Sequence, residues 1–197
     1  MKYADAKKIA KWSADLNGVF TIPDLKVLFG EKTEAALYKK LNSLTDEKLL
    51  IKILRGLYAV PDTSLEVISS RINPDSYIST GTVLANNIII GSVPRRRVQA
   101  VKVGRPRVYE TEIGTIEHLS IAQRLFFGFE MKNGIKYANP EKAFLDTCYF
   151  YFKGKRFSFD LDTDIDQNAL NPKLIEKYLK KFDKRFITFF RRIWNNE

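Results

Sequence analysis

The sequence predicts an α+β chain in two parts. Residues 1–62 read as helices that close in a β-hairpin, and residues 63–197 as a mixed α+β domain with antiparallel strands and C-terminal helices. Three observations predict this. Residues 17–60 carry two helix-start signals followed by two short apolar runs around Arg55-Gly56. From Val93 to Ala138 the apolar residues shift towards strand-like alternation, with a strong turn dipeptide at Asn133-Gly134. From Asn139 onwards helix starts return.

Residues 2–16 read as an amphipathic helix whose Ala6, Ile9, Ala10, Trp12 and Leu16 can pack inwards, with Lys7, Lys8 and Lys11 turned outwards. Asn17-Gly18 stops it, and Val19-Phe20 suggests a short strand. In Thr21-Ile22-Pro23-Asp24, Thr21 can cap free backbone N–H groups and Pro23 sits where its missing N–H costs nothing. Gly30 ends that helix. A second helix from about Thr33 to Leu44 carries Leu37, Leu41 and Leu44 as one apolar stripe at about 100° per residue. Lys32, Ala35, Lys39 and Asn42 fall opposite the stripe, with Tyr38 on a flank. Leu49 to Leu54, Arg55-Gly56 and Leu57 to Val60 read as strand, turn and strand.

Helix, turn, helix, hairpin is the order of a winged helix-turn-helix, whose second helix enters the major groove of double-stranded DNA. The residue types suit that task. The stripe seats the helix, Ala35 leaves room, and Lys39 and Asn42 can donate to base edges or phosphates. The expected contact set is Lys32, Thr33, Ala35, Tyr38, Lys39, Asn42, Arg55 at the wing tip, and Tyr58. Winged helices also serve as protein–protein modules, and a lysine-rich helix face is compatible with simple solvation.

Pro61-Asp62-Thr63 marks the expected domain boundary. Ser64 caps a helix to about Ile72, Asn73-Pro74-Asp75 breaks it, and Ser79 to Asn87 reads as a short helix opened by hydroxyl caps. Ile88 to Gly91 reads as a buried connector or strand. Strands are expected near 97–103, 108–113, 115–121, 125–131 and 135–138. Asn139-Pro140-Glu141 starts a helix through Phe152, and two more follow at 172–181 and 183–194.

The net charge of +10 with pI near 9.6 favours a polyanionic partner. The excess is spread as +3, +4 and +3 over residues 1–63, 64–154 and 155–197. The 45% hydrophobic and 28% charged content is that of a globular chain. One cysteine, Cys148, forbids an internal disulfide and reads as a buried small hydrophobe, and the single histidine, His118, has no second soft ligand nearby. No metal and no cofactor are expected. No apolar run reaches the roughly 18 residues of a membrane span, and the N-terminus has no secretory apolar region. A cytoplasmic protein with no membrane partner is expected.

The densest basic stretch comprises Arg95, Arg96, Arg97, Lys102, Arg105 and Arg107. On a β-hairpin Arg95 and Arg97 would share one face, a ledge for phosphates or a charged guard on an exposed edge. Glu141, Lys142 and Asp146, with Glu110 and Glu112, admit a nuclease-like reading. The simpler one puts Glu141 at a helix N-terminus and pairs Lys142 with Asp146 along the helix. No catalytic residue is assigned.

Several segments resemble AbiEi-family antitoxins. Leu54-Arg55-Gly56-Leu57-Tyr58 is similar to the close of that family's N-terminal domain. Ser76-Tyr77-Ile78-Ser79 opening a helix that ends in Ala85-Asn86, Leu125-Phe126-Phe127-Gly128, and Ala138-Asn139-Pro140-Glu141-Lys142-Ala143-Phe144-Leu145-Asp146 follow in the family's order. Together they span roughly residues 15–155, and Phe144 stands where the family usually has leucine. The resemblance implies the antitoxin of a type IV abortive-infection, phage-resistance module. Such a protein binds inverted repeats in its own promoter and represses it. It neutralises a nucleotidyltransferase-like toxin through its C-terminal domain, without a stable complex. The alternative is a nucleic-acid-processing enzyme that a winged helix targets to its substrate.

Overall fold

The computed structural model describes residues 2–91 and 96–194. The chain is mixed α+β and divides into two compact units, residues 1–72 with 110–114, and residues 73–109 with 115–197.

The first unit runs α1 (Lys2–Leu16), β1 (Val19–Thr21), α2 (Ile22–Phe29), α3 (Glu34–Asp46), β2 (Ile51–Leu54), β3 (Leu57–Ala59) and α4 (Leu65–Ile72). Its sheet is antiparallel in the order β1-β3-β2. Local rules start and stop the helices as the sequence predicts. The Thr21 and Asp24 side chains cap each other's backbone at the head of α2, with Thr21 N–H donating to Asp24 Oδ2 at 2.8 Å, and Gly30 closes the helix at φ 66°. Leu37, Leu41 and Leu44 are all buried and seat α3 on a core of Phe20, Leu25, Phe29 and Leu50, with Ile9 from α1. Ala10, expected to pack inwards, is exposed.

The sequence places a boundary at Pro61-Asp62-Thr63, whereas α4 goes with the first unit. It packs on β1, and Arg71 pairs with Asp24 at 3.1 Å. Burial would raise the Asp24 carboxyl, but hydrogen bonds from Thr21 and the Arg71 charge outweigh it and hold the pKa below its ordinary value.

The rest of the chain forms β4 (Ser76–Ile78), α5 (Thr80–Asn86), β5 (Arg97–Lys102), β6 (Arg107–Thr111), β7 (Gly114–Ser120), β8 (Phe129–Lys132), β9 (Ile135–Ala138), α6 (Pro140–Phe152), α7 (Pro172–Leu179) and α8 (Lys184–Trp194), all in the second unit apart from residues 110–114 where β6 ends and β7 begins. The sheet order is β6-β7-β5-β4-β9-β8. The expected antiparallel strands are present as β4 with β5 and β8 with β9, but the sheet as a whole is mixed. β5 runs parallel to β7, and β4 parallel to β9. The strand after β5 in sequence lies outside β7, so β5 is an interior strand.

Two further expectations change. Ser76-Tyr77-Ile78 is a fully buried strand and not a helix opening, since an aromatic and a β-branched residue fit an interior strand. Residues 125–131 do not form one strand, because a short 3-10 turn at Gln123–Leu125 precedes β8. The Asn133-Gly134 turn joins β8 to β9 as predicted, with φ of 50° and 78°.

Helix α6 packs against α5, α7 and α8, with Phe144 edge-on to Phe190 at 5.6 Å. Asn139 caps it, its side chain accepting from Lys142 N–H at 2.9 Å. Cys148 is enclosed in this core, and burial pushes its thiol well above the ordinary range. Among the described residues, no helix is long and apolar enough to cross a membrane.

Candidate nucleic-acid interface

The outward ridge of α3 carries the expected residues. Ala35, Lys39 and Asn42 are exposed opposite the leucine stripe, as is Lys32 just before the helix. Thr33 is exposed but committed to the backbone, its Oγ1 accepting from Ala36 N–H at 3.2 Å as the N-cap of α3. Grooves flank the ridge on both sides. One lies between α3 and the β2–β3 turn and is lined by Glu34, Tyr38, Lys52, Arg55 and Tyr58. The other lies towards α1, where Lys39 and Ala36 face Asp5 and Glu31.

Tyr38 is 42% exposed on the groove wall, while Tyr58 is 3% exposed and belongs to the core. β3 is the central strand of its sheet, so all three of its residues are buried and Tyr58 supports the groove floor. Burial raises the Tyr58 phenol, and neighbouring Tyr38 adds to the shift. Lys52 is a groove cation that sequence reasoning missed. Its signal was the single polar residue in Ile51-Lys52-Ile53. Lys40, also unremarked, bridges Asp5 at 3.4 Å and Glu31 at 3.2 Å and lies over the Phe29 ring. It ties α1 and α3 together.

The basic stretch of the second unit does not form one ledge. Arg95 lies outside the described residues. Arg96 and Arg97 are at the start of β5, while Lys102 ends it, roughly 17 Å away at about 3.3 Å per residue. Arg105 and Arg107 are exposed beyond Lys102. Arg97 faces Glu117 at 3.6 Å. Glu117 also accepts from Lys155 Nζ at 2.5 Å and from Gln99 Nε2 at 2.9 Å. Burial would raise the Glu117 carboxyl, but these partners keep it below its usual range.

Lys142 and Asp146 pair along α6, yet both are wholly buried instead of on a solvated face. Tyr77 Oη and Ser79 Oγ donate to Asp146 Oδ2 at 2.9 and 2.8 Å. Ser79 therefore spends its hydroxyl across the core and makes no side-chain cap on α5. Gly128 lies against the Lys142 stem at φ 74°, where an added Cβ would meet the Lys142 Cβ and Cγ at 3.1 Å. Burial pulls the Lys142 ammonium down and Asp146 opposes that shift, while burial and then Asp146 hold the Tyr77 phenol well above 10. Glu141 accepts from Asn171 N–H at 3.0 Å. Glu110 and Glu112 are exposed. Among the described residues, no group of three or more His, Cys, Asp or Glu side chains could hold a metal ion.

No protein-family model matches the chain, and a search of curated proteins finds no match.

Proposed function

We propose that the chain is a DNA-binding transcriptional regulator of the AbiEi antitoxin type, with the first unit as a winged helix-turn-helix. The observation that carries this reading is the ridge of Ala35, Lys39 and Asn42 on α3, beside a groove whose far wall bears Lys52 and Arg55. The element order α1-β1-α2-α3-β2-β3 also supports it, because α3 and the β2–β3 turn then form recognition helix and wing. In this arrangement the ridge enters the major groove of double-stranded DNA. Arg55 at the wing tip and Lys52 beside it take phosphates.

The antitoxin assignment draws on a different relationship. Apart from Leu54 to Tyr58, the segments that resemble the antitoxin family contain Tyr77 and Ser79, Gly128, and Lys142 with Asp146, and these converge on one buried ion pair. Their joint occurrence then reflects a single structural unit. On this reading the chain represses its own promoter through inverted repeats. Its second unit neutralises a nucleotidyltransferase-like toxin without a lasting complex. A mobility-shift titration with the DNA upstream of the chain's own gene tests the first step. The expected result is a specific shift that survives competitor DNA. Equal affinity for unrelated duplex would sink the repressor reading.

A further inference from the structure

The second unit holds a cleft of about 350 Å³ that the proposed DNA contacts do not use. That volume lies at the lower end of the roughly 300–1,000 Å³ typical of small-molecule sites. Its walls combine Arg97, Lys155 and Arg156 with the aromatic rings of Phe157 and Phe159, and no carboxylate is among the described lining residues. Glu117 is the acid these cations share, accepting from Lys155 and Gln99 and facing Arg97. An ammonium has three donors, and Glu117 takes one of those of Lys155. Arg97 keeps 46% of its side chain exposed, and Arg156 is exposed as well.

A hydrogen-bond network of the sheet positions Lys155 and its partner Glu117. Glu117 and Gln99 sit on adjacent parallel strands, β7 and β5, directly opposite each other in register. Gln99 is anchored in turn, its Oε1 accepting from Thr80 at 2.7 Å and its N–H donating to Thr82 Oγ1 at 3.0 Å. This network orients Lys155 before any ligand arrives, and pre-orientation lowers the entropic cost of binding. The Arg156 guanidinium lies over the Tyr151 ring, 4.6 Å from its centroid, a cation–π contact that favours this placement. The Phe157 and Phe159 rings lie 5.4 Å apart, both half-buried, and form an apolar wall next to the cations.

We propose that this cleft binds a mononucleotide, with Arg97, Lys155 and Arg156 on the phosphate and Phe157 and Phe159 against the base. Paired cations recognise a phosphate monoester through charge-assisted hydrogen bonds, and a ring wall accepts any flat heterocycle. The same chemistry is offered by the phosphorylated end of an oligonucleotide. The limited volume favours the free nucleotide. The site lies wholly within the second unit, so it is independent of the DNA-binding reading.

Isothermal titration of the full-length chain tests this with each common nucleoside monophosphate, its nucleoside, inorganic phosphate, and a phosphorylated tetranucleotide. At least one nucleoside monophosphate should bind with Kd below about 1 mM. Its nucleoside and inorganic phosphate should each bind at least tenfold more weakly. Arg156→Gln, a change at an exposed position, and Phe157→Leu should each weaken the nucleotide at least tenfold while thermal unfolding stays unchanged. Three results would overturn the proposal: no monophosphate binds, phosphate alone binds as well as the nucleotide, or the tetranucleotide binds more tightly than any mononucleotide. Undiminished binding in both folded variants would also overturn it.

Discussion

Lys142 and Asp146, one turn apart on α6, form an ion pair in which neither side chain has any exposed surface. Two hydroxyls and a glycine from other elements close over it. The attraction offsets a large desolvation cost only while both charges are present. Lys142→Met and Asp146→Asn should therefore each destabilise the second unit by about 3–5 kcal/mol, since each leaves one buried charge uncompensated. The double variant should cost less than the sum of the two. Urea unfolding of the four proteins measures this, and single-variant losses below about 1 kcal/mol would contradict a buried pair.

His118 supplies a pH-dependent contribution to stability. Burial, and secondarily the Lys102 charge, lower its pKa from 6.5 to about 4. The unfolded chain then binds a proton that the folded chain refuses between those two values. This contribution is fully present above pH 6.5 and is lost as the pH falls towards 4. The expected loss is about 2 kcal/mol by pH 5. His118→Gln should flatten stability between pH 7 and 5, as followed by denaturant midpoints. An unaltered slope would assign the effect to other groups.

What the sequence made legible follows from range. The cap of α2 and the leucine stripe of α3 depend on residues three or four apart, and both appear as predicted. The spacing of Lys142 and Asp146 was equally legible, but spacing is the same for a solvated pair and a buried one. Burial comes from Tyr77 and Ser79, more than sixty positions away. The hydroxyl-rich Ser-Tyr-Ile-Ser segment mimics a helix cap for the same reason. Tyr58 followed a wing-like pattern, but the pairing of β3 on both sides removes the alternation that would have marked its face. Parallel pairing of β5 with β7 skips the intervening strand, which no local pattern reports.

The N-terminal segment of the first unit, residues 1–72, should depend on α4 for its stability. Fragment 1–62 loses the Arg71–Asp24 pair and the packing of α4 on β1. It should be less stable than fragment 1–72 by at least about 1 kcal/mol, or roughly 4–8 °C. Thermal scans of the two fragments decide this, and equal midpoints would return α4 to the second unit. Under the proposed function, 1–72 should bind operator DNA and 73–197 should rescue cells from the toxin. Rescue by 1–72 alone would overturn that division.

Under the proposed function, replacing Lys39 and Asn42 together by alanine should relax sequence preference. Both are exposed on the α3 ridge, and each good base contact is worth about 1–3 kcal/mol of discrimination. The ratio of operator to random-duplex affinity should fall while the fold persists, because neither side chain is in the core. A double variant with the original footprint and affinity would remove α3 from the interface.

On the proposed DNA-binding reading, Arg55→Ala should behave differently, because a wing cation would meet phosphates and not base edges. Arg55 is exposed at the β2–β3 turn, on the groove wall opposite Tyr38. A phosphate contact releases counterions, so its loss should weaken operator and random duplex alike. The slope of log affinity against log salt should fall by about one unit. Specificity should stay as it was, in contrast to the Lys39 and Asn42 variant. The neighbouring Lys52 should add a second, similar decrement in Arg55→Ala/Lys52→Ala. Titrations at several salt concentrations separate the two behaviours. An unchanged slope with altered specificity would mean that the turn reads bases, and an unchanged slope with unchanged affinity would place the β2–β3 turn off the DNA.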